Sequence, residues 1–241
     1  MRGIILAAGQ GQRLRPDTDT IPKTLLPLTG DDSILDTILA GLVAVGIDDI
    51  AITVGHAAEA IRERREALQE RHGATITLVD NDRPDWNNAY SLYTAREHYR
   101  HGAVVVNGDT FHPHSVERRL LDVDEGDRLL LALDDFHPLT DEDMKVRVAD
   151  GRVDLITKKQ PADAAAGEYI GVSLIPAALA DELTAALERT FKGDPDLYYE
   201  DGYQLLAEQG LVSAVSIGEV EWTEVDDHAD LELARELACR S

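Results

Sequence analysis

Cysteine, positive charge and long apolar runs are all scarce in this chain, and each scarcity excludes something. Cys239 is the only thiol among 241 residues, so no intrachain disulfide can form. No run approaches the ~18 apolar residues that a membrane span needs. The N-terminal apolar run is too short for a signal peptide and leads straight into a glycine-rich stretch, so the expectation is a soluble, cytoplasmic protein. Lys and Arg number 23 against 46 Asp and Glu, a formal charge of −23. Such a balance repels nucleic acid and anionic membranes, which removes both as expected partners. It reads as a solvated acidic surface, of the kind that suits high salt. No histidine carries a zinc-site pattern: His112 and His114 have no Cys or Glu at ligand spacing. Internal repeats and low-complexity tracts are absent too.

Against this background the five lysines, Lys23, Lys145, Lys158, Lys159 and Lys192, are informative. An acidic protein that binds polyanions must concentrate its few cations or recruit a divalent metal. The first such place is Gly3 to Pro16. Ile4-Ile5-Leu6-Ala7-Ala8 has the length and branching of a strand buried on both faces. Gly9 and Gly11 then allow a sharp turn whose N–H groups can cradle anionic oxygens. Arg13, Arg15 and Lys23 add positive charge, which makes a phosphate-binding corner. A lone G-x-G is a weak signal. The dinucleotide fingerprint fails because Leu14 stands where its third Gly should be, and no Walker lysine follows.

Further along, Ser33 is a plausible cap for a helix through Val45, ended by Gly46. Strands are expected at Asp49–Gly55 and Thr75–Val79, with a helix at Ala57–Arg71 between them. This alternation points to an α/β, doubly wound, mostly parallel mixed sheet. Asp80 to Leu92 runs from a strand end through a polar loop into a helix that Asn87 or Asn88 could cap. Ala103–Thr110 is the clearest strand and ends in Asn107-Gly108-Asp109, placing a carboxylate where open α/β sheets bind ligands. Such a carboxylate suits Mg²⁺ beside phosphate oxygens. Leu129–Asp134 is another strand. Asp143–Val148 and Val153–Lys159 flank an Asp150-Gly151-Arg152 turn and read as a β-hairpin that brings Lys145 and Lys158 to one neighbourhood. Gly171 interrupts the next strand, suggesting a bulge or a close ligand. A helix is expected at Pro176–Thr190. Tyr198-Tyr199-Glu200-Asp201 opens another and could cradle a cationic headgroup, or could simply pack and start that helix. A last helix spans Ala229–Ala238.

The string Leu6-Ala7-Ala8-Gly9-x-Gly11-x-Arg13-Leu14-Arg15-Pro16 with Pro22-Lys23-x-Leu25-Leu26-Pro27 resembles the signature of the sugar-phosphate nucleotidyltransferases. Asn87-Asn88-x-x-Ser91-Leu92, Met144-Lys145-Val146, Glu168-Tyr169-Ile170-Gly171-Val172 and Trp222-x-Glu224-Val225-Asp226 narrow the likeness to the cytidylyltransferases acting on phosphocholine and related phospho-alcohols. The resemblance covers almost the whole chain. It implies a Rossmann-like nucleotidyltransferase fold with the β-hairpin as a subregion on the acceptor side. One domain over 1–241 is expected, with residues 1–110 as the nucleotide-binding half and 111–241 as the acceptor half.

The resemblance also implies roles. Leu6, Ala7, Ala8, Gly9 and Gly11 hold the nucleotide, and Arg13 and Lys23 are the catalytic cations on its phosphates. Asn81, Asn88 and Ser91 help recognise the base or the sugar. Asp109 and Asp226 bind Mg²⁺, with Asp227 as the alternative ligand or a helix cap. Lys158 binds the acceptor phosphate, Lys145 lines the same pocket, and Glu168 and Gly171 flank the acceptor. Glu200 and Asp201 complete that side, and Lys159 is the neighbour that a one-residue shift would substitute for Lys158. The implied reaction transfers CMP from CTP to a phosphorylated small alcohol such as phosphocholine or inositol phosphate and releases pyrophosphate. Rivals are a sugar-1-phosphate nucleotidyltransferase using UTP, dTTP or GTP, a molybdopterin-type relative, and a non-catalytic nucleotide-binding regulator. Acceptor identity stays open, and so does oligomeric state, a homodimer included.

Overall fold

The computed structural model describes residues 1–240. In chain order it runs β1 (Arg2–Ala7), α1 (Ile34–Ala44), β2 (Asp49–Val54), α2 (Ala58–His72), β3 (Thr75–Asp80), α3 (Asn88–Thr94), α4 (Arg96–Tyr99) and β4 (Ala103–Asn107). Then come α5 (Ser115–Val123), β5 (Leu129–Asp134), β6 (Lys145–Ala149), β7 (Arg152–Thr157), β8 (Gly167–Ile175), α6 (Ala180–Gly193), α7 (Tyr199–Ala207), β9 (Val212–Ser216) and α8 (His228–Ala238). These nine strands share one sheet in the order β7-β6-β8-β4-β1-β2-β3, with β5 pairing β8 and β9. The pairs among β1 to β4 are parallel, as is β5 with β9, while β8 runs antiparallel to β4, β5 and β6. The expected mostly parallel mixed sheet with its hairpin is therefore the architecture of the chain.

Alternate side chains of each strand serve opposite faces, which is why the strands read as unbroken apolar runs. Ile5 and Ala7 of β1 join Ile50 and Ile52 of β2 and Val104 and Val106 of β4 under α1, α2, α5 and α8. Ile4, Ala51, Ala103 and Val105 point the other way, against α3, α4, α6 and α7. Local chemistry sets the helix ends. Ser33 caps α1 in a reciprocal capping box with Asp36, and Asn87 caps α3. Helix α5 had no counterpart in the sequence reading. Among the described residues no helix is long and apolar enough to cross a membrane.

Two short pairings outside the main sheet matter for function. Thr110–Phe111, just past β4, pairs antiparallel with Thr223–Glu224. The Val225 N–H also donates to the Asp109 carbonyl at 2.9 Å. Trp222 Nε1 donates to Asp134 Oδ2 at 2.6 Å, tying the same segment to the end of β5.

Candidate active site

β1 lies between β2 and β4, whose crossovers leave in opposite directions. At the carboxyl ends of such strands an open α/β sheet has its crevice. Here it is a cleft of about 460 Å³ lined, among others, by Leu6, Ala7, Ala8, Gly9, Gly11, Arg13, Lys23, Asn81, Asn88, Ser91, Asn107, Asp109, Lys158 and Asp226. Residues from both ends of the sequence and from the hairpin thus meet in one place. Gly108 makes the crevice narrow: a Cβ there would come within 2.5 Å of the Leu6 carbonyl oxygen, which already accepts from the Gly108 N–H at 3.0 Å.

Lys23 is the centre of its charge. Its Nζ lies 2.7 Å from Asp109 Oδ2 and 3.0 Å from Asp226 Oδ1. Arg13 Nη2 donates to the other Asp226 oxygen at 2.6 Å. Burial alone would lower the Lys23 pKa, but the charges of Asp109 and Asp226 outweigh it and hold the ammonium above its usual value. Burial would raise Asp226, yet Lys23 and Arg13 hold its carboxyl below the usual range.

A third carboxylate belongs to this group, and the sequence reading assigned it no role. Carboxylate oxygens of Asp109, Glu224 and Asp226 all lie within 4.8 Å of one another. Glu224 opens on the cleft by surface area, but protein atoms crowd its carboxyl. That desolvation first, and the charges of Asp109 and Asp226 next, push it up to about 8. The signal was its spacing: Glu224 stands two residues before Asp226 on extended backbone, where i and i+2 share a face. Asp109 Oδ1 is buried with no hydrogen-bond partner, although the Oδ2 beside it holds Lys23. An unsatisfied carboxylate oxygen on Asp109, with the oxygens of Glu224 and Asp226 beside it, fits a divalent cation of the Mg²⁺ type, whose charge would also favour ionised Glu224.

The polar loop side is held by its own bonds. Asn81 Nδ2 donates to Ser91 Oγ at 2.9 Å, and Asn81 Oδ1 accepts from the Arg83 N–H. Asn88 Oδ1 accepts from the Tyr199 N–H at 2.9 Å. Arg15 pairs at 3.4 Å with Asp19 and does not line the cleft. Asp227 caps α8, accepting from the Ala229 and Asp230 N–H groups.

On the hairpin side Lys158 lines the cleft, with Nζ 5.8 Å from the Tyr198 ring centre, whereas Lys159 does not line it. Lys145 is placed elsewhere. Its side chain is buried, and Nζ spends its donors on the carbonyls of Asp141, Asp143 and Lys158 at 3.1 to 3.3 Å. It braces the main chain that presents Lys158. Glu168, Gly171, Glu200 and Asp201 do not line the cleft either. Burial, then the nearby Asp143 and Asp134 charges, push Glu168 up to about 8. Burial does the same to Glu200, whose Oε2 has no partner. Asp201 accepts from the Tyr198 N–H at the start of α7. Gly171, at φ +80°, lies against the Asn107 side chain.

A family model described as the MobA-like NTP transferase domain matches residues 3–200. The bifunctional IPC transferase and DIPP synthase of Aquifex aeolicus is 27% identical over 233 residues, which is 96% of this chain and 50% of that protein. The choline-phosphate cytidylyltransferase of Streptococcus pneumoniae is 38% identical over 112 residues, 46% of this chain and 45% of that protein. The match thus takes in about half the length of these curated relatives. Among solved structures, the inositol-1-phosphate CTP transferase from T. maritima aligns with a TM-score of 0.83 at 24% identity, covering 99% of this chain and 95% of that one. At that identity the likeness speaks for the fold.

Proposed function

The chain belongs to the MobA-like NTP transferase domain family, and from that premise we propose that it transfers CMP from CTP to a phosphorylated small alcohol and releases pyrophosphate. The observation that carries the reading is the bridge of Lys23 between Asp109 and Asp226, set opposite the glycine turn in one cleft. The name of the choline-phosphate cytidylyltransferase supports the choice of a cytidine nucleotide and of a phospho-alcohol.

Both reactants are anions, so the work is charge neutralisation and alignment. The turn at Gly9 and Gly11 cradles the triphosphate. Lys23 and Arg13 stabilise charge that builds on the α-phosphate and on the departing pyrophosphate. Lys158 orients the acceptor phosphate, whose oxygen is already an anion and needs no general base. Asp109, Asp226 and Glu224 are the residues that would hold Mg²⁺, which when bound polarises phosphate oxygens as a Lewis acid. Residues 1–110 provide the nucleotide side and 111–241 the acceptor side, and the two meet at the end of β4, where Asn107 faces Gly171.

The test is pyrophosphate release with CTP, UTP, dTTP and GTP in competition, over an acceptor panel of phosphocholine, inositol phosphate, a phosphonate and a sugar phosphate. CTP with a phospho-alcohol is expected to win, and Lys23→Ala or Asp109→Ala should cost about 10²–10³ in turnover. Preference for UTP, dTTP or GTP with a sugar 1-phosphate would replace this reading with the sugar-phosphate one. Near-normal turnover in either variant would refute the residue roles.

A further inference from the structure

In sequence Asn107 reads only as the end of a strand, yet it lines the cleft beside Asp109. The register explains its surroundings. Val106 pairs with Val172 across the antiparallel β4–β8 ladder, so Asn107 comes opposite Gly171. A Cβ on Gly171 would come within 2.6 Å of Asn107 Nδ2 and 2.9 Å of its Cγ. The amide therefore lies over a glycine of β8, where the missing Cβ leaves room for it.

Its orientation is set from below. The Tyr199 hydroxyl donates to Asn107 Oδ1 at 2.9 Å and is itself 3.0 Å from the Tyr169 hydroxyl. Both rings are buried, and the Tyr199 main chain is held by Asn88. Asn107 Oδ1 is thus engaged inside the protein, while Nδ2, lying against Gly171, has no hydrogen-bond partner among the described residues. An amide held this way offers only donors to the cleft. Its ligand must bring an acceptor oxygen, and an anionic one makes the stronger bond.

We infer that Asn107 contacts a phosphoryl oxygen of the acceptor through Nδ2, that Tyr199 is the positioning residue that keeps this donor facing the cleft, and that Gly171 is required to admit it. The inference rests on the nucleotidyl-transfer reading and names a residue of that same site.

The experiment compares wild type, Asn107→Ala, Tyr199→Phe and the double variant in steady-state turnover with the wild type's own acceptor. Losing a hydrogen bond to a charged group should raise the acceptor KM of Asn107→Ala about tenfold or more. The KM for nucleotide should hold within about twofold. Tyr199→Phe should raise the acceptor KM by a smaller factor, and the double variant should be no worse than Asn107→Ala, because Tyr199 acts through Asn107. A merely structural role would move both KM values together. In parallel, calorimetry measures inorganic phosphate binding to each protein preloaded with CTP and Mg²⁺. Weaker phosphate binding in Asn107→Ala supports the contact even if no acceptor on the panel turns over, in which case only the nucleotidyl-transfer reading falls. Unchanged acceptor KM and unchanged phosphate affinity in Asn107→Ala would overturn the inference. So would an unaltered acceptor KM in Tyr199→Phe, for the positioning role.

Discussion

At Lys23 one ammonium stands among three carboxyl groups, those of Asp109, Glu224 and Asp226, and Arg13 pairs with Asp226 beside it. Removing it leaves like charges crowded together, which costs stability unless another cation takes its place. Lys23→Ala should therefore melt below wild type in chelator and gain more than wild type when Mg²⁺ is added. Equal gains by calorimetry would contradict this. Glu200 tests burial in the opposite sense. Its carboxyl is pushed from 4.5 to about 8, so across that window the folded chain keeps a proton that the unfolded chain has released. Stability from this group is then present at the acid end and falls as pH rises to about 8. Glu200→Gln should match wild type in urea midpoint near the acid end and exceed it near the alkaline end. Single residues were legible where their type is rare or their chemistry singular. Asp109, Asp226 and Lys23 stand out in motifs, and the two aspartates lie together in space on either side of the Lys23 ammonium. The burial of Lys145 was not legible, because lysines are seldom buried and a hairpin lysine reads as solvated.

Elements were legible where their cause is local. The Ser33 cap, the parallel strands β1, β2 and β4, and the Asp150-Gly151 hairpin turn stand where the pattern of residues places them. What escaped depends on distant partners. Nothing within β8 announces that it will run antiparallel between β4 and β5, although Gly171 does announce the shift of register around it. The pairing of Thr110–Phe111 with Thr223–Glu224 is equally invisible, since each piece is only two residues long. That small ladder needs an outside anchor, and Trp222 on Asp134 supplies one. Trp222→Phe should cost about 1–3 kcal/mol in urea unfolding, the price of leaving a buried carboxylate short of a donor. It should also lower turnover, because the segment that carries Glu224 and Asp226 loosens. Wild-type stability and turnover together would show that the anchor is dispensable.

For the molecule as a whole the −23 charge dominates. Self-repulsion of that size opposes compactness, and added salt screens it, to a Debye length of ~3 Å at 1 M. The thermal midpoint should rise steadily as KCl goes from about 0.05 M to about 1 M. A flat or falling midpoint would mean that the acidic surface is already neutralised by its own ion pairs. The little ladder beyond β4 has a consequence at this scale too. It is the seam at which the last stretch of the chain fastens to the first half, and it sets Glu224 beside Asp109. On the proposed roles, a chain nicked between Asp109 and Glu224 keeps its phosphate-binding cations, Arg13 and Lys23, on one piece and two of its three metal-holding carboxyl groups on the other. Turnover then hangs on two short strands staying zipped, a dependence that lies far from the glycine turn in sequence and beside it in space.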